Sequence, residues 1–271
     1  MADTAPDPAP DGVPDLQIVG GGRMGEALLT GLLAADPGRT VRVVEAIPAR
    51  AAELRIAHPS IEVTDAVGAA SGTVLAVKPH QIVDVCAAVA RTGGGRVLSI
   101  AAGVTIATIE AALPSGTPVV RAMPNTPALI GQGAAAIAAG THAADDDVAW
   151  AESILSAVGS VSVVPEHLLD AVTGLSGSGP AYVFVVLDAL IEGGVAAGLP
   201  RETAESLAGQ TLLGAAGLYL AGDKSPGELR AQVTSPGGTT AAGLRVLEQR
   251  AVRSALIDAV IAARDRSIEL G

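Results

Sequence analysis

The chain is 271 residues long, with 17 Lys and Arg against 28 Asp and Glu, a formal net charge of −11 and 1% aromatic residues. Nucleic-acid binding calls for cationic patches and, on single strands, for aromatic stacking platforms, so this composition argues against it. The length is enough for one large domain or two ordinary ones.

Residues 1–14, rich in proline and aspartate, read as a disordered tail. They carry neither the basic end nor the apolar core of a signal peptide, which points to a soluble, cytoplasmic protein. From Leu16 the pattern changes. Short apolar runs at 16–19, 41–44, 74–77, 97–100, 119–123, 134–138 and 161–164 read as strands, several of them β-branched and nearly continuous. Helix-period segments at 24–35, 49–57, 81–89 and 105–113 separate the earlier ones. Strand alternating with helix predicts an α/β fold with a doubly wound parallel sheet over 15–165, the later strands being partly antiparallel or at the sheet edge. Cys86 is the sole cysteine, so an intrachain disulfide and a four-cysteine metal site are excluded, and no metal is expected.

Within that region, Gly20-Gly21-Gly22-Arg23-Met24-Gly25 places a G-x-G-x-x-G between the first strand and the first helix. Gly20 permits the tight turn, Gly22 lets backbone approach a pyrophosphate, and Gly25 lets helix and strand pack closely. The helix N-terminus then offers unpaired N–H groups and a positive dipole end to phosphates. Glu45 ends the second strand about 20 positions on, where a carboxylate can accept a ribose 2′-hydroxyl and repel a 2′-phosphate. That favours NADH, but Arg42 and Arg50 are close enough in sequence to offset it, and Glu45 also reads as a solvated strand end. The choice between NADH and NADPH stays open.

After Pro165 the strand signals stop, and residues 168–173, 181–197, 201–220, 226–233 and 239–270 read as helices of a second, all-α domain over 166–271. Residues 182–197 are apolar nearly all round and are expected to be buried, in part between subunits. They include Asp188 and Glu192, and no uncharged apolar run reaches the length that crosses a membrane. Leu175-Ser176-Gly177-Ser178-Gly179-Pro180 is not a nucleophile elbow, because neither serine has glycine at both −2 and +2. It reads as a turn with Ser178 capping the next helix and Pro180 in its first turn. Thr234-Ser235-Pro236-Gly237-Gly238-Thr239-Thr240 offers a concave set of N–H and O–H donors suited to a small carboxylate, or else a capped turn without a ligand.

Those segments, with Ala76-Val77-Lys78-Pro79, Ser99-Ile100-Ala101-Ala102-Gly103-Val104 and Arg121-Ala122-Met123-Pro124-Asn125-Thr126-Pro127, resemble the Δ1-pyrroline-5-carboxylate reductase family from about Leu16 to the C-terminus. The resemblance implies reduction of the imine of (S)-1-pyrroline-5-carboxylate to L-proline with NADPH or NADH. It implies a Rossmann-type sheet followed by an all-α dimerisation domain, with a homodimer that in some members builds a decamer of five dimers. By motif, Gly20, Gly22, Arg23, Met24, Gly25, Glu45 and Asp65 would serve the coenzyme's pyrophosphate and adenosine ribose. Ala76, Val77, Lys78, Pro79, Ile100, Ala101 and Ala102 would line the nicotinamide side, with Asn125 close by. Ser235, Gly238, Thr239 and Thr240 would hold the substrate, where one subunit's nucleotide domain meets helices of the dimer.

The chain departs from the family at Arg23 and Gly25, where members commonly have Asn and Ala, and at Asp65, where an Asn is common. A protonated imine is already electrophilic, so neither a metal nor a nucleophilic side chain is needed, and the protein supplies alignment and a donor at nitrogen. Thr240 is the candidate donor. Lys78 is either an electrostatic aid or a solvated loop lysine, and His80 beside it is expected to be an exposed helix-start residue. Two other readings remain: a related imine or β-hydroxyacid reductase, and a non-catalytic NAD(P)-binding protein. Hydroxyacid enzymes typically rely on a lysine in the first long helix of the helical half, and residues 182–197 contain none.

Overall fold

The computed structural model describes residues 13–93 and 95–271. Most of the predicted tail lies outside the described residues. Its last residue belongs to the folded domain, for Pro14 is buried and its carbonyl accepts the Ser71 amide at 3.1 Å.

Among the described residues, eight strands form one sheet: β1 (Leu16–Val19), β2 (Val41–Val44), β3 (Glu62–Thr64), β4 (Gly72–Leu75), β5 (Arg96–Ser99), β6 (Val119–Met123), β7 (Gly133–Ala139) and β8 (Gly159–Val163). Their order is β3-β2-β1-β4-β5-β6-β7-β8. The first six run parallel, β7 is antiparallel to β6, and β8 is parallel to β7. Helices α1 (Arg23–Ala35), α2 (Pro48–Ala57), α3 (Ile82–Ala90) and α4 (Ile106–Ala111) lie between successive strands of the parallel part, and α5 (Asp145–Ser156) joins β7 to β8.

The core has two faces because successive strand residues point to opposite sides of a sheet. Val74, Leu98 and Val120 join Ile18, Leu28 and Leu54 in one apolar cluster. Their neighbours Leu75, Val97 and Val119 join Ile82, Cys86 and Ile109 in the other. Both faces are covered, which is why these strands read as nearly continuous apolar runs.

Two elements were not expected. The three-residue β3 sits at the sheet edge with Glu62 exposed, so it carries no apolar run to notice. Helix α5 opens on Asp145, Asp146 and Asp147, with Asp147 Oδ2 accepting the Ala144 amide at 2.9 Å. Acidic side chains in a first turn suit the helix dipole, but they mask the apolar period behind them.

The chain divides into two compact units: the described residues up to Gly177 together with Ala263–Gly271, and Ser178–Ala262. The sheet unit thus takes in residues 166–177, which the expected boundary near Pro165 assigns to the helical half. Residues 166–177 pack on the sheet unit through specific contacts. Leu169, in the short helix α6 (Leu169–Val172), is buried in the second apolar cluster. Glu166 Oε1 takes Arg121 at 2.9 Å and the Ile106 amide at 2.7 Å. From the π-helical turn Thr173–Gly177, Ser176 Oγ donates to the Ala134 carbonyl at 3.2 Å. The C-terminus returns to this unit, where Ser267 Oγ donates to Asp170 at 2.7 Å.

The second unit is helical: α7 (Gly179–Ala196), α8 (Arg201–Leu220), α9 (Pro226–Gln232), α10 (Thr239–Gln249) and most of α11 (Val252–Leu270). The expected single segment 239–270 breaks at Ala251, whose φ of 54° interrupts the helix. Ser178 holds the N-cap position of α7, but its side chain makes no capping bond. The backbone there is already helical because the π-helical turn runs straight into α7. Expected burial of 182–197 is not met within one chain: Ile191 is the buried residue of α7, packed with Ala204 and Ala208 of α8. Phe184 and Val185 are 63% and 70% exposed.

Candidate functional site

Parallel strands put the carboxyl ends of β1, β4, β5 and β6 along one edge, and the strand order reverses between β1 and β4. A crevice forms at such a reversal, because the two flanking crossovers leave in opposite directions. The loops that fill it are built by glycines. Gly20, with φ of +108°, follows β1, and a Cβ there would lie 2.6 Å from the Ala76 carbonyl oxygen of the loop after β4. A Cβ on Gly25 would overlap the Gly20 carbonyl oxygen, so α1 packs against the turn only without a side chain. Gly22 is the N-cap of α1, and a Cβ there would meet nothing within 4 Å. Two tight glycines and one open one make a cradle in front of the unpaired first-turn amides of α1, which fits a pyrophosphate.

The Gly21 peptide between them is held at both ends. Glu45 Oε2 accepts its amide at 3.0 Å, and Glu45 Oε1 accepts the Ile47 amide at 2.8 Å. Glu45 is 9% exposed, so it is not a solvated strand end. Arg50 Nε donates to the Gly21 carbonyl at 2.8 Å. The same guanidinium bonds Glu53 Oε2 at 2.8 Å and Glu26 Oε2, and these bonds, Glu53's the larger effect, raise its pKa above the ordinary arginine value. His58 Nε2 lies 3.5 Å from the other Glu26 oxygen. Arg42 is turned to Glu62 at 2.7 Å and to the Ala69 carbonyl at 3.1 Å. Sequence reasoning missed Glu26 and Glu53, although Glu53 stands three residues after Arg50 on one helix, where side chains meet.

Further along the crevice, the Ala76 amide bonds the Val19 carbonyl at 2.8 Å and the Ile100 amide bonds Leu75 at 3.1 Å. Ala76 and Val77 are half-buried, while Lys78, Pro79 and His80 are exposed, and the Lys78 amide bonds Gln81 Oε1 at 3.2 Å. Ala101 is buried and Ala102 exposed. Arg23, at the start of α1, and Asp65, just past β3, are exposed, and Met24 is half-buried. Asn125 is buried, with its Nδ2 on the Ser176 carbonyl at 3.1 Å and its Oδ1 taking the Ala134 amide at 2.8 Å. Its amide therefore shapes the loop after β6 from within.

In the helical unit, Gly237 adopts φ of +71° and the Gly238 amide bonds the Ser235 carbonyl at 3.1 Å, which closes the turn at the head of α10. A Cβ on Gly238 would lie 2.5 Å from Ser235 Oγ. Ser235 and Thr239 are exposed and Thr240 half-buried, whereas the Thr234 hydroxyl is turned back onto Arg230 O at 2.7 Å. Among the described residues, no group of three or more His, Cys, Asp or Glu side chains converges on a metal-sized site.

Residues 166–270 match the family model described as pyrroline-5-carboxylate reductase dimerisation, and residues 15–103 match one described as NADP oxidoreductase coenzyme F420-dependent. Helix α7, with its exposed apolar side chains, lies within the matched dimerisation segment. The helical run Glu166–Ala196 is 31 residues long and holds a stretch of mean hydropathy 1.4, enough by length and composition alone to cross a membrane. A pyrroline-5-carboxylate reductase of Synechocystis sp. is 46% identical over 263 residues, covering 94% of this chain and 98% of that protein. The solved structure of a pyrroline-5-carboxylate reductase from Coxiella burnetii superposes with a TM-score of 0.88 at 38% identity, over 96% of this chain and 99% of that one. A Plasmodium falciparum pyrroline carboxylate reductase with NADP bound gives 0.83 at 28% identity, over 95% and 98%. With a glycine cradle at the sheet reversal, a donor turn at the head of α10 and this similarity along nearly its whole length, the chain belongs to the pyrroline-5-carboxylate reductase family.

Proposed function

We propose that the protein reduces the imine of (S)-1-pyrroline-5-carboxylate to L-proline with NADPH or NADH, the last step of proline biosynthesis. It does so in the cytoplasm, as a homodimer paired through its helical unit or as a ring of five such dimers. The observation that carries the reading is the glycine cradle at the β1–β4 crevice in a chain of this family.

Gly20, Gly22, Gly25 and the first-turn amides of α1 hold the pyrophosphate, with Arg23 and Met24 flanking it, and Glu45 and Asp65 serve the adenosine end. Ala76, Val77, Lys78, Pro79, Ile100, Ala101 and Ala102 line the nicotinamide side, and Asn125 keeps the adjoining loop in shape. Ser235, Gly238, Thr239 and Thr240 hold the substrate carboxylate and ring. The coenzyme held there would supply the hydride that the imine carbon needs. Thr240 hydrogen-bonds the ring nitrogen and relays a proton to it from water, directly or through a second water, its own hydroxyl being restored in the transfer. Lys78 adds positive charge beside the nicotinamide. The residues act by alignment and by one proton, and no covalent intermediate with the protein is needed.

The test is oxidation of NADH and NADPH in parallel with pyrroline-5-carboxylate, then with hydroxyacids and other cyclic imines. Turnover confined to pyrroline-5-carboxylate supports the reading. Turnover of another acid in its place, or coenzyme binding without turnover, overturns it. Sedimentation of the purified protein separates a dimer from a ring of five.

A further inference from the structure

The two arginines nearest the adenosine end in sequence are both committed. Arg42 is spent on Glu62 and the Ala69 carbonyl. Arg50 is different, because it shares the Gly21 peptide with Glu45: Arg50 on the carbonyl, Glu45 on the amide. A guanidinium beside the strand-end carboxylate is the group that accommodates a 2′-phosphate in dinucleotide sites. Here its remaining edges are taken by Glu53 at 2.8 Å and by Glu26. Glu26 and Glu53 thus flank one arginine, Glu45 lies across Gly21 from it on the Gly21 amide, and His58 is a further titratable neighbour, on Glu26. A doubly charged phosphate brought to this place meets more negative than positive charge, whereas a hydroxyl can still donate to a carboxylate oxygen, each of which accepts more than one bond.

We propose that the Arg50–Glu53 pair sets coenzyme choice, with Glu53 occupying the guanidinium edge that a 2′-phosphate would need, so that the protein selects NADH over NADPH. This rests on the reading of the β1–β4 crevice as the dinucleotide site. Glu26 is the part-buried anchor that keeps Arg50 on Gly21, and Glu53, 65% exposed, is the removable competitor.

The experiment measures dissociation constants for NADH and NADPH separately, by quenching of protein-bound coenzyme fluorescence in the full-length protein. Wild type should bind NADH more tightly. Glu53→Gln, at an exposed position where folding is not at stake, should tighten NADPH by about twofold to fivefold, the scale of one exposed charge pair, with NADH unchanged. Adding Arg50→Gln to that variant should cancel the NADPH gain, since the two act as a pair. Raising salt should shrink the NADH–NADPH gap of wild type, which a purely structural role for Glu53 would not do. Preference for NADPH in wild type, or an equal shift of both coenzymes in Glu53→Gln, overturns the inference while leaving the crevice as the coenzyme site. Failure of either coenzyme to bind overturns the site itself, and the inference with it.

Discussion

Asn125 donates its side-chain amide to the Ser176 carbonyl at 3.1 Å, across 51 positions of sequence. With its other end on the Ala134 amide, this one buried side chain ties the loop after β6 to β7 and to the turn that leads out of the sheet unit. Asn125→Leu removes both bonds and leaves a carbonyl and an amide without their partner. Each such group costs about 1–3 kcal/mol when buried. A lower urea midpoint than wild type is expected, and an unchanged midpoint would show that water replaces the amide.

Two glycines of the cradle, Gly25 and Gly22, should respond differently to the same added methyl group. Gly25→Ala drives a Cβ into the Gly20 carbonyl oxygen and should lower stability by about 1–3 kcal/mol, the usual cost of overpacking. Gly22→Ala meets nothing in the protein, so its melting temperature should match wild type. Its methyl group projects where the pyrophosphate is proposed to lie, and coenzyme affinity should fall. Thermal melts with and without NADH separate the two effects.

Thr240, half-buried at the head of α10, is the proposed donor to the imine nitrogen. Thr240→Ala should lower kcat/KM by about one to three decades, the scale of lost positioning and proton transfer. Steady-state kinetics with pyrroline-5-carboxylate decides it. Retained wild-type kinetics would move the proton source elsewhere.

The exposed face of α7 should be covered in the assembled protein. Val185 is 70% exposed in the single chain. Val185→Asp places a charge there, and burying an unpaired charge is costly enough to undo an interface. A shift to a smaller species in sedimentation is expected, and a wild-type profile would put the interface on another face.

Cys86 is buried on α3, and burial pushes its thiol up to about 11 from 9.0. A raised folded-state value means the unfolded chain loses its proton first. The resulting stabilisation is complete below pH 9 and is lost as pH rises towards 11. Urea midpoints should therefore fall over this range more steeply for wild type than for Cys86→Ala. A thiol reagent should label the folded protein slowly at pH 8.

Much of the sheet unit was legible because its signals are local. Leu16–Val19 and Val41–Val44 are largely buried and appear as apolar runs broken only by Gln17 and Arg42, and Gly20 and Gly25 mark close approaches that leave no room for a side chain. The short edge strand β3 was not legible, because three residues with one face in solvent leave no pattern. The packing of residues 166–177 on the sheet unit was not legible either, for a related reason. Residues 166–177 look helical from Leu168 on, yet Glu166 and Ser176 bind partners 45 and 42 positions away.

From its order of residues alone, the chain determined a glycine turn between strand and helix, an alternation that makes a parallel sheet, and a helical half too apolar to stand uncovered. These follow from backbone sterics and from the spacing of apolar side chains, which act between near neighbours. Only the tertiary structure decided that Glu45 is sealed against two backbone amides and that Arg50 is shared among Gly21, Glu26 and Glu53. A charge takes whichever partners the fold brings within about 3 Å, and those distances are set by residues far apart along the chain.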